Sequence, residues 1–217
     1  MDIFEIMKQR HSVRQYEITS VETEKRTILI NEVKKINNES HLNIQILFDE
    51  PKCFNSLMAH YGKFSGVQNY IALVGRKTPE LAEKCGYYGE RLVILAQSLG
   101  LNTCWVAMTH GKSMAKIHNN EKQVCLISLG YGKNQGVPHK SKPVEQLTEL
   151  QGNMPEWFRK GMEAVMFAPT AMNQQKFRFY LSGEEVSARV SGTGFYTKTD
   201  LGIVKYHFES VTGKKVR

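Results

Sequence analysis

The side chains best suited to chemistry lie in two polar stretches, residues 10–14 and 168–175, near opposite ends of the chain. Arg10-His11-Ser12-Val13-Arg14 offers fixed cations and a hydroxyl at the end of a short predicted helix. Ala168-Pro169-Thr170-Ala171-Met172-Asn173-Gln174-Gln175 offers a turn followed by amide side chains, which both donate and accept hydrogen bonds. At a helical end, Arg10 and Arg14 fall on one side. The planar fork of a guanidinium can grip a phosphate or a ring carbonyl. Lys140-Ser141-Lys142-Pro143 alternates, so an extended backbone would aim both lysines the same way. Taken singly, these patterns also read as solvated basic loops and a helix stop. Taken together, they suggest a site for a flat, polar, phosphorylated cofactor drawing on both ends of the chain.

Other chemistries find less support. Gly130-Tyr131-Gly132-Lys133-Asn134-Gln135-Gly136 follows a predicted strand, but its spacing is G-x-G-x-x-x-G. Pro138 and a lysine cluster then stand where a dinucleotide-binding loop needs a helix. There is no P-loop and no G-x-S-x-G nucleophile elbow. His110 and His118 are separated by a predicted turn, and the histidines form no convincing metal pair. Cys53, Cys85, Cys104 and Cys125 contain no C-x-x-C and read as inert thiols, with Cys53 expected to be the exposed one. The net charge of +8 favours anionic partners. The basic residues are spread along the chain without an RNA-binding aromatic signature or zinc-finger spacing, so an anionic small molecule is expected rather than nucleic acid.

The elements that must position these residues can be read from periodicity. Asp2 caps a predicted helix over residues 3–9. Thr19-Ser20-Val21-Glu22 fits a capping box that opens a helix to about Ile36, stopped by Asn37-Asn38. Residues 43–48 alternate like a half-buried strand, and Tyr70 to Val74 reads as a buried one. Tyr87 to Leu99 is the strongest helical pattern, with Gly100 at its stop and Leu92, Leu95 and Leu99 expected to bury against the second half. Strands are predicted at Thr103–Ala107 and Val124–Leu129. A helix is predicted from Asn153-Met154-Pro155-Glu156 to about Phe167, then a strand at Phe177–Leu181 and a helix from Asp200 to about Ser210. The order suggests a single domain over 1–217 made of two pseudo-repeated halves, about 1–145 and 146–217. No apolar run approaches the roughly 20 residues of a membrane span. Acidic residues come early, at Asp2 and Glu5, which disfavours a secretory signal. A cytoplasmic protein with no membrane partner is therefore expected.

With these pieces in order, the chain resembles the FMN-dependent nitroreductase family. Arg10 to Arg14 looks like its R-x-S-x-R element. Gly89-Glu90-Arg91 through Leu99-Gly100-Leu101-Asn102-Thr103-Cys104-Trp105 looks like its central helix and following turn. Leu129-Gly130-Tyr131-Gly132 with Lys140-Ser141-Lys142-Pro143, and Ala168 to Gln175, look like two further elements. The last of these comes late here; where the family usually carries it stands Asn37-Asn38-Glu39-Ser40-His41. The resemblance implies an α+β fold with a central, mainly antiparallel sheet flanked by helices. The late element further suggests a compact branch in which two halves form a pseudo-dimer, competent as a monomer.

The resemblance also implies FMN as cofactor, with NAD(P)H and a small electron acceptor, a nitroaromatic or quinone, as partners. The flavin would carry the chemistry. Arg10, Lys140 and Lys142 would hold its phosphate, with His11 beside them. Ser12 would bond ribityl or ring-edge oxygens, and Arg14 would lie by the N1/C2 carbonyl edge. The backbone N–H groups of Ala107 and Met108 would face N5 and O4, and Pro169, Thr170, Asn173 and Gln175 would close the site. A flavin store or redox sensor without turnover is the alternative.

Overall fold

Tyr70, Ala72 and Val74 alternate with Ile71 and Leu73, and all five are fully buried, so this strand is covered on both faces. It is β2 (Asn69–Arg76), at the interior of an antiparallel sheet ordered β1-β2-β4-β3, with β1 at Gln45–Leu47, β3 at Asn102–Val106 and β4 at Glu121–Gly130. The register slips between Leu73 and Val74, where Val124 is the extra residue on β4. The computed structural model describes residues 2–150 and 152–217. It divides into two compact units: Arg10–Leu81 with Leu92–Val137, and the N-terminal residues to Gln9 with Ala82–Arg91 and Pro138–Arg217.

The first unit holds this four-stranded sheet. On one face Tyr70, Ala72, Val74, Cys104 and Leu126 pack with Val13, Tyr16, Phe54 and Phe64. On the other, Leu101 and Leu129 pack with Leu29 of α2 (Thr23–Ser40), with Leu95 and Ala96 of α4 (Leu81–Ser98), and with Leu99 just past its end. Leu95 and Leu99, both partly buried, thus pack on residues of the first half. The segment around Pro51 and Cys53 is not a plain loop. It forms a single 3-10 turn at Lys52–Phe54, then α3 (Leu57–Tyr61). Cys53 is correspondingly 0% exposed, contrary to expectation. Its carbonyl accepts the Gly111 N–H at 2.7 Å, and its thiol donates back to the Gly111 carbonyl.

The second unit holds a smaller sheet, β5-β6-β7, at Thr148–Leu150, Phe177–Ser182 and Glu185–Val190. β5 and β6 pair in parallel, β6 and β7 antiparallel. The short helix α5 (Val144–Leu147) leads into β5. α1 (Ile3–Gln9), α6 (Glu156–Val165) and α7 (Thr197–Thr212) belong to this unit with the first turns of α4. Phe158 of α6, Phe179 of β6 and Phe208 of α7 form its aromatic centre, with Phe179 stacked on Phe208 at 5.2 Å. His207 and Glu90, both 0% exposed, meet at 2.9 Å, and the other ring nitrogen of His207 lies 2.8 Å from the Ala164 carbonyl. The two sheets differ in size and pairing.

The elements expected from the sequence are present, α3, α5, β5 and β7 come in addition, and several element ends differ. The capping box does not form. Glu22 flanks α2 without a side-chain cap and instead accepts the Tyr131 hydroxyl. α2 also runs through Asn37, whose side chain bonds both the N–H and the carbonyl of Ile44 across the following turn; His41, at φ 58°, ends the helix. Pro155, not Asn153, flanks α6. α4 begins at Leu81, earlier than Tyr87, and runs through Gly86, where a Cβ would meet the Thr199 carbonyl. α7 begins at Thr197, which places Asp200 inside its first turn. No described helix is long and apolar enough to cross a membrane.

Candidate functional site

The chain from Arg10 to Tyr16 lies in extended form along the four-stranded unit. Ser12 pairs with Thr103 in a parallel bridge, and the Val13 N–H donates to the Thr103 carbonyl at 3.0 Å. Further on, Tyr16 N–H donates to Ser65 O and Ser65 N–H to Arg14 O, at 2.9 and 3.0 Å. A buried hydroxyl pins the segment: Tyr16 Oη donates to Val13 O at 2.7 Å and lies 2.8 Å from Ser128 Oγ. Burial raises the Tyr16 phenol well above its ordinary pKa, so it stays neutral. Tyr16→Phe should cost about 1–2 kcal/mol in a urea titration, the usual result of stranding a buried carbonyl. No measurable loss would show that the phenol does not pin the segment.

This anchoring gathers the first set of expected residues. Arg10 is 3% exposed and Arg14 is open to solvent, its guanidinium 5.9 Å from the centre of the Phe64 ring. Between them Ser12 meets the Cys104 thiol. Burial raises that thiol's pKa, and the positive fields of Arg14 and Arg10 and the Ser12 hydrogen bond oppose the rise. Both arginine charges are therefore felt around Ser12 and β3. His11 is half-buried, and burial followed by the Arg10 charge holds its pKa below the ordinary value. Ala107 and Met108 directly follow β3, with Met108 68% exposed. The loop from Gly130 to Gly136 lies along the same segment, where Lys133 N–H donates to Gln15 O at 2.9 Å. Asn102 accepts the Gly132 N–H and donates to Gln135. At Gly136, with φ +69°, a Cβ would lie 2.8 Å from that of His11, so only glycine lets the loop pass so closely.

The second set belongs to the other unit and is also drawn together. Gln175 is 6% exposed. Its amide accepts the Lys142 N–H at 2.8 Å and donates to the Lys140 carbonyl at 2.9 Å. Asn173 donates to the same carbonyl at 2.8 Å, and Thr170 Oγ1 accepts the Gln175 N–H at 3.1 Å. Lys142 Nζ donates to the carbonyls of Gln174 and Gln175, both at 3.1 Å, leaving one of its three N–H bonds for anything else. Ser141 donates to Met166 O. Lys140 is exposed and Pro169 half-buried. The amides that the sequence offered as ligand groups thus also fasten the 140–143 segment to the 170–175 turn.

That turn is strained. Met172, Asn173 and Gln175 have φ of 51°, 53° and 46°, left-handed values that side chains disfavour. Two residues that hold it were not picked out from the sequence. Gln174 appeared only as part of the N-Q-Q run, and Asp200 only as a helix start. Asp200 is 2% exposed, and its carboxylate accepts the Ala171 N–H at 2.9 Å and the Gln174 amide at 2.7 Å. An acid directly after Thr199, at a predicted helix start, was the available signal.

Comparison with known proteins follows the same lines. A family model described as "Putative TM nitroreductase" matches residues 2–212. Among solved structures, a "putative nitroreductase" from Thermotoga maritima MSB8 is similar with a TM-score of 0.68 at 23% identity, over 97% of this chain and 83% of that one. Another so described, from Desulfovibrio desulfuricans and in complex with FMN, gives 0.54 at 15% identity, over 71% and 99%. A "Putative NADH dehydrogenase/NAD(P)H nitroreductase" from Bacteroides thetaiotaomicron VPI-5482 gives 0.53 at 18%, over 66% and 94%. Identities this low speak for the fold alone. No curated protein matches the chain significantly.

Proposed function

Because this chain belongs to the nitroreductase family whose model spans residues 2–212, we propose that it is an FMN-dependent oxidoreductase that takes electrons from NAD(P)H and passes them to a small acceptor, a nitroaromatic or a quinone. The observation that carries the reading is the anchored Arg10–Arg14 segment. A buried guanidinium, a hydroxyl and an exposed guanidinium follow one another along extended backbone beside β3. That donor set fits FMN: a phosphate needs fixed cations, and the carbonyl-rich edge of an isoalloxazine ring needs donors. When bound, the flavin would supply the hydride and electron chemistry that side chains cannot.

The chain's own part is binding, orientation and charge. Arg10 is assigned to the phosphate, with His11 beside it, and Ser12 to ribityl or ring oxygens. Arg14 is assigned to the ring carbonyl edge, where a fixed positive charge stabilises negative charge that develops nearby. The backbone donors of Ala107 and Met108 are assigned to the opposite ring edge. Lys140, Lys142, Pro169, Thr170, Asn173 and Gln175 are assigned to the same cofactor through the family resemblance, with one FMN per chain. Cytoplasmic location and action as a monomer complete the proposal.

The experiment is an absorbance spectrum of purified protein reconstituted with FMN, followed by anaerobic titration with NADH and NADPH. The expected result is about one FMN per chain, with bleaching of the flavin bands by one or both nucleotides. Absence of bound flavin would overturn the cofactor assignment. Bound flavin that neither nucleotide bleaches would mean that the chain does not use NAD(P)H as its reductant.

A further inference from the structure

We propose that Asp200 is a positioning residue for the flavin site, setting the shape of the 170–175 turn through both of its carboxylate oxygens. The inference rests on the assignment of Thr170, Asn173 and Gln175 to FMN. The turn's three left-handed residues are held only if surrounding bonds over-determine them. Asp200 supplies two of those bonds, one to the Ala171 backbone where the turn begins and one to the Gln174 side chain between the assigned residues Asn173 and Gln175. The Gln174 amide also donates to Phe195 O at 2.9 Å, tying the turn to the chain just before α7. Asp200 sits in the first turn of a sixteen-residue helix, where a negative charge is favoured.

Protonation would weaken this hold, because a carboxylic acid keeps less acceptor capacity than a carboxylate. Burial raises the Asp200 pKa to about 6, against the Ala171 and Gln174 hydrogen bonds, which lower it. Lys176, at the end of the turn, donates to the Thr193 carbonyl, and Lys198 of α7 is exposed. Glu83 of α4, whose carbonyl approaches Gly202, is paired with Lys205. While Asp200 stays buried, a fall in pH through about 6 should therefore weaken its two hydrogen bonds to the turn.

The test compares wild type with Asp200→Asn, which keeps size but loses charge and one acceptor. Two readouts are used: the pH titration of the Ala171 amide by NMR in flavin-free protein, and FMN affinity at pH 7.5 by quenching of flavin fluorescence. In wild type the Ala171 amide should titrate with a midpoint near 6. In Asp200→Asn it should not, and FMN should bind about tenfold more weakly, the worth of roughly one charge-assisted hydrogen bond. An Ala171 amide that does not shift between pH 5 and 8 in wild type, or Asp200→Asn binding FMN as wild type does, would overturn the proposal. If Asp200→Asn does not fold, Gln174→Ala tests the same link, with weaker FMN binding expected and unchanged binding overturning it. Wild type that binds no flavin yet shows the Ala171 titration would sink the cofactor reading and leave Asp200's control of the turn standing.

Discussion

Arg10→Ala should weaken FMN binding by about 10–150-fold, the range expected for loss of a hydrogen bond to a charged group, while riboflavin binding changes far less. The contrast matters because riboflavin lacks the phosphate. Arg10 is the cation best prepared for a phosphate. It is buried, its charge is felt at Cys104, and it lies at the start of a segment pinned by Thr103 and Tyr16. A guanidinium already held in place loses little freedom on binding. Lys142, the other strong candidate from the sequence, has its ammonium on two carbonyls, so its replacement should also disturb the 170–175 turn. Arg10→Lys separates charge from geometry. It keeps the cation but loses the planar fork, and should fall between wild type and alanine. Circular dichroism checks that each variant folds. Equal losses for FMN and riboflavin would show that Arg10 does not reach the phosphate.

Gly202→Ala should destabilise the fold by about 3 kcal/mol or more, at the upper end of what overpacking usually costs. A Cβ at Gly202 would lie 2.0 Å from the Glu83 carbonyl oxygen and 2.6 Å from the Tyr87 nitrogen. Gly86 is its counterpart on α4, where a Cβ would lie 2.0 Å from the Thr199 carbonyl. The two helices therefore cross with backbone against backbone, and no side-chain rotation can relieve the clash. Against a total stability of roughly 5–15 kcal/mol, such a loss is easily read in urea unfolding. Lys198→Ala, on the exposed side of the same helix, serves as the control and should cost far less, since an exposed lysine fills no packed space. A Gly202→Ala midpoint equal to that control would mean that the helices do not approach so closely.

These two variants also separate what was legible in the sequence from what was not. Strand β2, strand β6 and helix α6 could be read because their signals are local: alternation, helical spacing and a proline at a helix start act within a few residues. The family could be read because several of its elements occur together in one chain, and the family model matches residues 2–212. β5 could not be read, since three residues carry no period and its pairing partner, β6, lies far along the chain. β7 was missed although Val186, Ala188 and the turn at Gly183 gave a usable signal.

The fate of single polar groups was set by distant partners. Glu22 had the spacing of a cap and went to Tyr131; Cys53 stood in a loop-like stretch and was sealed by Gly111. Asp200 had the position of a helix start and took hold of Ala171 and Gln174. The sequence by itself determined which side chains were available for binding, two arginines, a serine and a run of amides, together with the secondary elements that carry them. Only the tertiary structure decided which of those groups bond to their own chain, as Gln175 and Lys142 do, because a hydrogen bond depends on an approach of about 3 Å that spacing along a chain does not encode.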